Sequence, residues 1–462
     1  MRNRSTVAPT NASISGCQNC AINVPTLLVL DRSVLGLNWN RRATRFRFSR
    51  GIMSEKKRTE QHDPDDVQDV LDESAPEGAE TEEDLGSVDP AQFGRAIVSG
   101  TDWTADTIIS QLAKGNIDLD PTFQRRDAWT QSRKSKFIES IILGLPIPQL
   151  VLAESQDSKG TFIVIDGKQR LLSLQQFAGI NLEKGINPLL LKGLTVRKEL
   201  NGKTLEDLRR DTRLRSLLTA FENQAIRTVV VRNWQSEKLL YIIFHRLNTN
   251  SLPLSPQELR QALHPGAFLQ FVVKWSEASS GLQKVLNLKK PDFRMRDAEL
   301  LLRYFAYLNF ISDYSGNLKD FLDSTCKTLN KEWNRRNVEL REQAEECERA
   351  INATFQIFGE SGAFRKWDGE KFESRFNRAV FEIMIYYFSQ KTVRRRALTK
   401  KREVVRAFKR LCEEKLQFLK SLETTTKSLK ATSTRFTRWA HALKSLGLPV
   451  QTPKFRSRRR GT

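Results

Sequence analysis

Apolar residues recur at steps of three and four through TADTIISQLAKGN (residues 104–116), where Ile108, Ile109 and Leu112 share one face. That spacing predicts a helix, with Thr104 placed to cap it and Gly115 to stop it. IDLD (117–120) alternates like a short strand that Pro121 ends. Helical spacing returns over 132–143 through Phe137, Ile138, Ile141 and Ile142, and Gly144, Pro146 and Pro148 then hold the exit extended. QLVLA (149–153) and TFIVI (161–165) predict two strands joined by a polar turn. KQRLLSLQQFAG follows as a helix running to Gly179. A Val-rich strand (225–232) and a helix (236–247) come next. A further helix is announced by Ser255, Pro256 and Glu258, which form a capping-box pattern.

Past about Pro265 almost only helical periodicity remains. It runs over 298–311, 318–332, 338–358, 372–389 and 404–422, with Phe372, Phe376, Val380 and Met384 as one example of the spacing. The pattern predicts an α+β domain (96–265), an all-helical domain (266–446) and a basic tail (447–462), preceded by an extension (1–95). No apolar run approaches the ~20 residues that cross a bilayer, so a soluble, cytoplasmic protein is expected.

Charge changes this picture at the two ends. The net charge is +22, and residues 391–462 hold 22 Lys/Arg against four Asp/Glu. Residues 59–94, by contrast, are acidic and contain no basic residue. Residues 54–94 are polar and poor in aromatics, a composition expected to be disordered. Residues 1–51 are rich in Arg and Ser, with Asp31 as their one acid. They read either as a transit peptide or as sequence upstream of a natural start at Met53. The basic end is a candidate surface for DNA or RNA, with Arg394, Arg395, Arg396, Lys400, Lys401 and Arg402 in VRRRALTKKR (393–402) and a second dense run in KFRSRRR (454–460). A solvated helical face is the plainer reading of the same charges.

Metal chemistry finds little support. Cys17 and Cys20 form a CxxC without a second pair, and Cys326, Cys347 and Cys412 sit in helical patterns as buried thiols. His62, His245, His264 and His441 lie far apart with no ligand spacing, and DGEK (368–371) is a weak nuclease-like match best read as a loop.

The most suggestive chemistry lies in IVIDGKQRLLSL (163–174). Asp166 ends a strand, Gly167 permits a tight turn, and a helix opens immediately after. A helix N-terminus offers N–H donors and partial positive charge, which suit a phosphate. Arg170 would hold that phosphate, and Asp166 a magnesium ion, a ribose hydroxyl or a water. The alternative is structural: Asp166 caps the helix and Arg170 pairs with it.

The order LDPTFQRRDAW, ILGLPIP, VIDGKQRLLSL resembles the N-terminal domain of GmrSD-type restriction systems, in the ParB/sulfiredoxin-like group. A later segment with Asn248, Leu254, Glu258 and Leu259 echoes the same family. The resemblance covers roughly 104–263. It implies a pocket for an NTP with magnesium, in which Gln124, Arg125, Gly167, Lys168 and Asn248 contact nucleotide and Asp166, Gln169 and Arg170 act on it. Lys168 stands where the family has Gln. Three readings are left open: a protein that binds a nucleotide, with or without hydrolysing it, and acts on or senses nucleic acid in defence; a scaffold that binds DNA or a partner without chemistry; and a nuclease within the helical domain that would rest on Asp368 and Glu370.

Overall fold

The computed structural model describes residues 95–119, 126–183, 185–247, 254–423 and 427–455. The expectations for 1–94, and those for Gln124, Arg125 and Asn248, fall outside these residues.

Four strands form one mixed sheet in the order β1-β4-β2-β3. They are β1 (Ile97–Thr104), β2 (Leu150–Glu154), β3 (Phe162–Asp166) and β4 (Ala225–Arg232). β1 runs antiparallel to β4, β4 parallel to β2, and β2 antiparallel to β3. Three of these strands lie where alternation or Val content places them. β1 was not expected, because its sequence IVSGTDWT is half-exposed on both faces and so carries no apolar period. The strand expected at 117–120 is reduced to a bridge between Ile117 and Phe162.

The sheet is covered on both sides, and its residues divide accordingly. Leu150, Leu152, Phe162, Val164, Ile226 and Val230 face one core. They pack under α1 (Ala105–Ala113), α2 (Gln131–Ile142) and α3 (Lys168–Ala178). Val151, Ala153, Ile165 and Val231 face the other, beneath α6 (Glu237–Leu247) and α7 (Pro256–Leu263). In the chain between α3 and β4, α4 (Leu205–Arg210) and α5 (Arg215–Asn223) add Leu205, Leu208 and Phe221 to the first of these cores. Thr104 caps α1 by accepting from the Thr107 N–H at 3.1 Å. Ser255 and Glu258 close the expected capping box on α7.

α3 is buried on nearly every side: Leu171, Leu172, Leu174 and Phe177 reach the core, while Lys168, Arg170, Ser173, Gln175 and Gln176 are buried too. Burying each of the four apolar side chains contributes about 1.5–3 kcal/mol. The polar ones must therefore find partners inside the protein, and those partners define the site below.

The rest of the chain is helical: α8 (Ala267–Ala278), α9 (Ser280–Leu286), α10 (Arg296–Phe310), α11 (Leu318–Gly362), α12 (Arg378–Phe388), α13 (Lys391–Thr399), α14 (Lys401–Glu414), α15 (Leu416–Glu423) and α16 (Leu429–Ser445). The architecture is thus α+β followed by an all-helical region. Two separate helices expected over 318–358 are one, α11, because the polar stretch between them contains no Gly or Pro to break it. Gly359, at φ 71°, supplies the kink instead. Residues 372–377 are not helical; Phe372 pairs with Trp367 in a bridge, and Asn377 caps α12. The helix expected over 404–422 breaks at Lys415. One apolar cluster runs on from beneath the sheet into these helices, and Leu448 and Val450 belong to it. No described helix is long and apolar enough to cross a membrane.

Candidate functional site

The turn between β3 and α3 begins with Gly167, at φ 98° and ψ 14°. That region disfavours a side chain, and a Cβ here would also collide with Leu150 Cδ2. We expect Gly167→Ala to lower stability by about 1–3 kcal/mol, read as a fall in the urea midpoint at unchanged slope. An unshifted midpoint would mean that the turn relaxes around the methyl.

Asp166 does not cap the helix; Gly167 is the cap residue and offers no side chain. Instead Asp166 Oδ2 accepts from Arg170 Nη2 at 2.7 Å. Arg170 Nη1 donates to the carbonyls of Pro148 at 2.6 Å and Gln149 at 3.0 Å. Arg170 is only 7% exposed. Arg170 thus ties the strand end to the GLPIPQ loop, whose Leu145, Pro146, Pro148 and Gln149 are exposed. The Asp166 carboxylate keeps partial exposure.

Lys168, 4% exposed, pairs with Glu258, whose other oxygen accepts from the Ser255 N–H at 2.6 Å. The departure from the family's Gln therefore has a structural counterpart, a buried ion pair that docks α7 onto the first turn of α3. Gln169 Oε1 accepts from the N–H groups of Ala128 and Trp129, both at 3.3 Å. Just beyond, Asp127 pairs with Lys134 of α2, and Lys134 donates to Gln176 of α3 at 2.7 Å.

Arg126, one residue earlier, was not anticipated. It is 1% exposed and enters the helical region. Its Nη1 donates to Asp297 Oδ1 at 2.6 Å and to the Asp292 carbonyl at 2.7 Å, and its Nη2 donates to Ser276 Oγ at 2.9 Å. Glu277 lies 3.3 Å from Nε. Nothing in QRRDAW marks which arginine turns inward, because Asp297 and Ser276 lie some 150 residues or more away.

The basic candidates divide. Arg394 is turned inward, 8% exposed, against the Phe388 and Ser389 carbonyls and Glu346. Arg395, Arg396, Lys400, Lys401 and Arg402 are exposed. Arg396 donates to the Gly447 carbonyl at 2.8 Å and Lys400 to that of Leu446 at 2.7 Å, so both also cap the C-terminal end of α16.

Among the described residues, Glu237, His264 and Asp323 bring ligand-type atoms within 4.8 Å of one another, a grouping hidden by their sequence separation. Arg260 and Lys319 already hold the two Asp323 oxygens, each at 2.7 Å, and Lys327 sits 3.2 Å from Glu237. Burial pushes the Asp323 carboxyl up, but Arg260, His264 and Lys319 outweigh it and hold the group below its ordinary value. Three cations against two carboxylates leave no net negative charge for a divalent ion. DGEK is turn chemistry: Asp368 Oδ1 accepts from the N–H groups of Glu370 at 2.8 Å and Lys371 at 2.7 Å.

No curated protein and no solved structure matches the chain. The segments that converge on α3, namely residues 126–129, the GLPIPQ loop, the β3–α3 turn and α7, all lie within residues 107–265, which match the family described as the GmrSD restriction endonuclease, N-terminal domain.

Proposed function

We propose that residues 107–265 bind a nucleoside triphosphate at the first turn of α3, and that the chain acts on or senses nucleic acid in a restriction or defence setting. The family's description, a restriction endonuclease domain, supports the setting. The observation that carries the nucleotide reading is convergence. Gln169 receives the chain immediately after 120–125 through Ala128 and Trp129, and Lys168 receives α7, which follows 248–253, through Glu258.

The residues present fit a phosphate in one way and not in another. They fit N–H donors at a helix start with no capping side chain, beside a partly exposed Asp166. They do not fit a grip by the Arg170 guanidinium or the Lys168 ammonium, since both are spent internally. When bound, a magnesium–nucleotide would supply the phosphoryl group and the cation that Asp166 holds. The ParB-like relationship of the fold belongs to the same proposal.

Those internal ion pairs also favour the second reading, a scaffold that binds DNA or a partner without turnover. A panel of the four common NTPs with magnesium, with and without DNA, separates the two. We expect at least one NTP to bind, and Asp166→Asn to weaken it about tenfold or more while the circular dichroism stays native. Absence of binding across the panel would sink the nucleotide reading. Binding without phosphate release, unaltered by DNA, would leave a nucleotide-sensing scaffold.

A further inference from the structure

The helices α13 and α14 carry their cations where helix physics resists them. Lys401 and Arg402 outnumber the single acid, Glu403, in the first turn of α14, whose cap residue is Lys400, and Lys391 opens α13 with no acid in its first turn. Cations there oppose the helix dipole. Arg402, Arg406 and Arg410 recur at four-residue steps along the exposed side of α14, opposite buried Val404, Phe408 and Cys412. Like charges at that spacing destabilise an isolated helix. Among the described residues Arg395, Lys401, Arg402 and Arg406 make no ion pair. Alongside them a groove of about 370 Å³ between α14 and α16 is lined by Arg406, Arg410 and Lys415 together with Glu403 and Glu414, a net positive lining in which Glu414 pairs with Arg410. This is a face with surplus positive charge that an extended polyanion would relieve.

The chain contains such a polyanion. Residues 65–94 hold eleven Asp/Glu and no Lys/Arg, and end immediately before the residues that lead into β1. Thirty residues extend to about 100 Å at most, whereas a compact body of this size has a radius of gyration on the order of 20 Å. The segment is therefore long enough to reach the face.

We propose that residues 65–94 dock on the α13–α14 face of the same chain and compete there with nucleic acid. This rests on the nucleic-acid reading above. The carboxylates substitute for phosphates, so the face is screened from weak, non-specific polyanions and opens to one that binds more tightly.

Two measurements test it on the full chain. In the first, the eleven acids of 65–94 are changed to Asn and Gln, and binding of a labelled DNA duplex is followed by anisotropy. The neutralised chain should bind on the order of tenfold more tightly at about 50 mM salt, with the difference shrinking by about 200 mM. Equal affinities at both salts overturn the proposal. In the second, a labelled peptide of residues 65–94 is titrated with the neutralised chain. It should bind at low salt and lose binding when Lys401, Arg402 and Arg406 are changed to Gln; failure to bind, or indifference to those changes, overturns it. If the peptide binds but neither chain binds DNA, docking stands and the nucleic-acid reading falls.

Discussion

Replacing Arg126 by Met will cost the fold about 3–5 kcal/mol, making it one of the two most damaging single changes expected in the chain. The methionine retains much of the side-chain volume, so the loss is electrostatic rather than a cavity. It strands the Asp297 carboxylate, which is fully buried and loses the guanidinium 2.6 Å away. It also removes the donors to the Asp292 carbonyl and Ser276. An unpaired buried charge is far worse than none. Adding Asp297→Asn to Arg126→Met should therefore recover part of the loss, although Asp297→Asn alone destabilises. Urea unfolding of the four chains closes the cycle. Simple additivity of the two changes would show that the pair does not interact and would remove the argument.

Lys168→Gln restores the residue typical of the family, yet we expect it to destabilise the chain by about 3–5 kcal/mol. The glutamine leaves Glu258 buried without its cation, while Glu258 continues to cap α7 through Ser255. Lys168→Gln with Glu258→Gln should be milder than the single change, because the uncompensated charge is gone. On the nucleotide reading proposed above, both chains should keep the parent's affinity within a few-fold once stability is allowed for, since the ammonium is directed at Glu258. If Lys168→Gln abolishes nucleotide binding while leaving the unfolding midpoint in place, the lysine grips phosphate and its structural assignment is wrong.

Both predictions concern charges whose partners lie far away in sequence, and this marks what the sequence could and could not reveal. Elements with a clean period were legible. α1, α2, β2 to β4 and α3 lie where apolar spacing put them, and the Ser255 cap is where its pattern placed it. The β3–α3 junction was legible as well, because strand, Gly and helix are local features. What failed to show were elements without a period. β1 is half-exposed on both faces, and the join within α11 looked like a gap because a solvated helical stretch has no apolar signal. Arg126, Arg170 and Arg394 are all arginines in conspicuous motifs. Whether each faces water or carbonyls depends on loops and helices that periodicity cannot bring together. The His264 grouping failed for the same reason.

The short run from Arg126 to Trp129 has a further consequence. One end is locked into the helical region, and the other is held by Gln169 at the start of α3. Two residues of chain have almost no slack, so the two anchorages cannot shift independently. Any ligand that draws Ala128 and Trp129 closer to α3 must also pull on the arginine socket. By thermodynamic reciprocity, a ligand that strains the socket must bind more tightly, by the same factor, once the socket is loosened. Residues 107–265 and the helices behind them are in this sense joined by a lever three peptide bonds long.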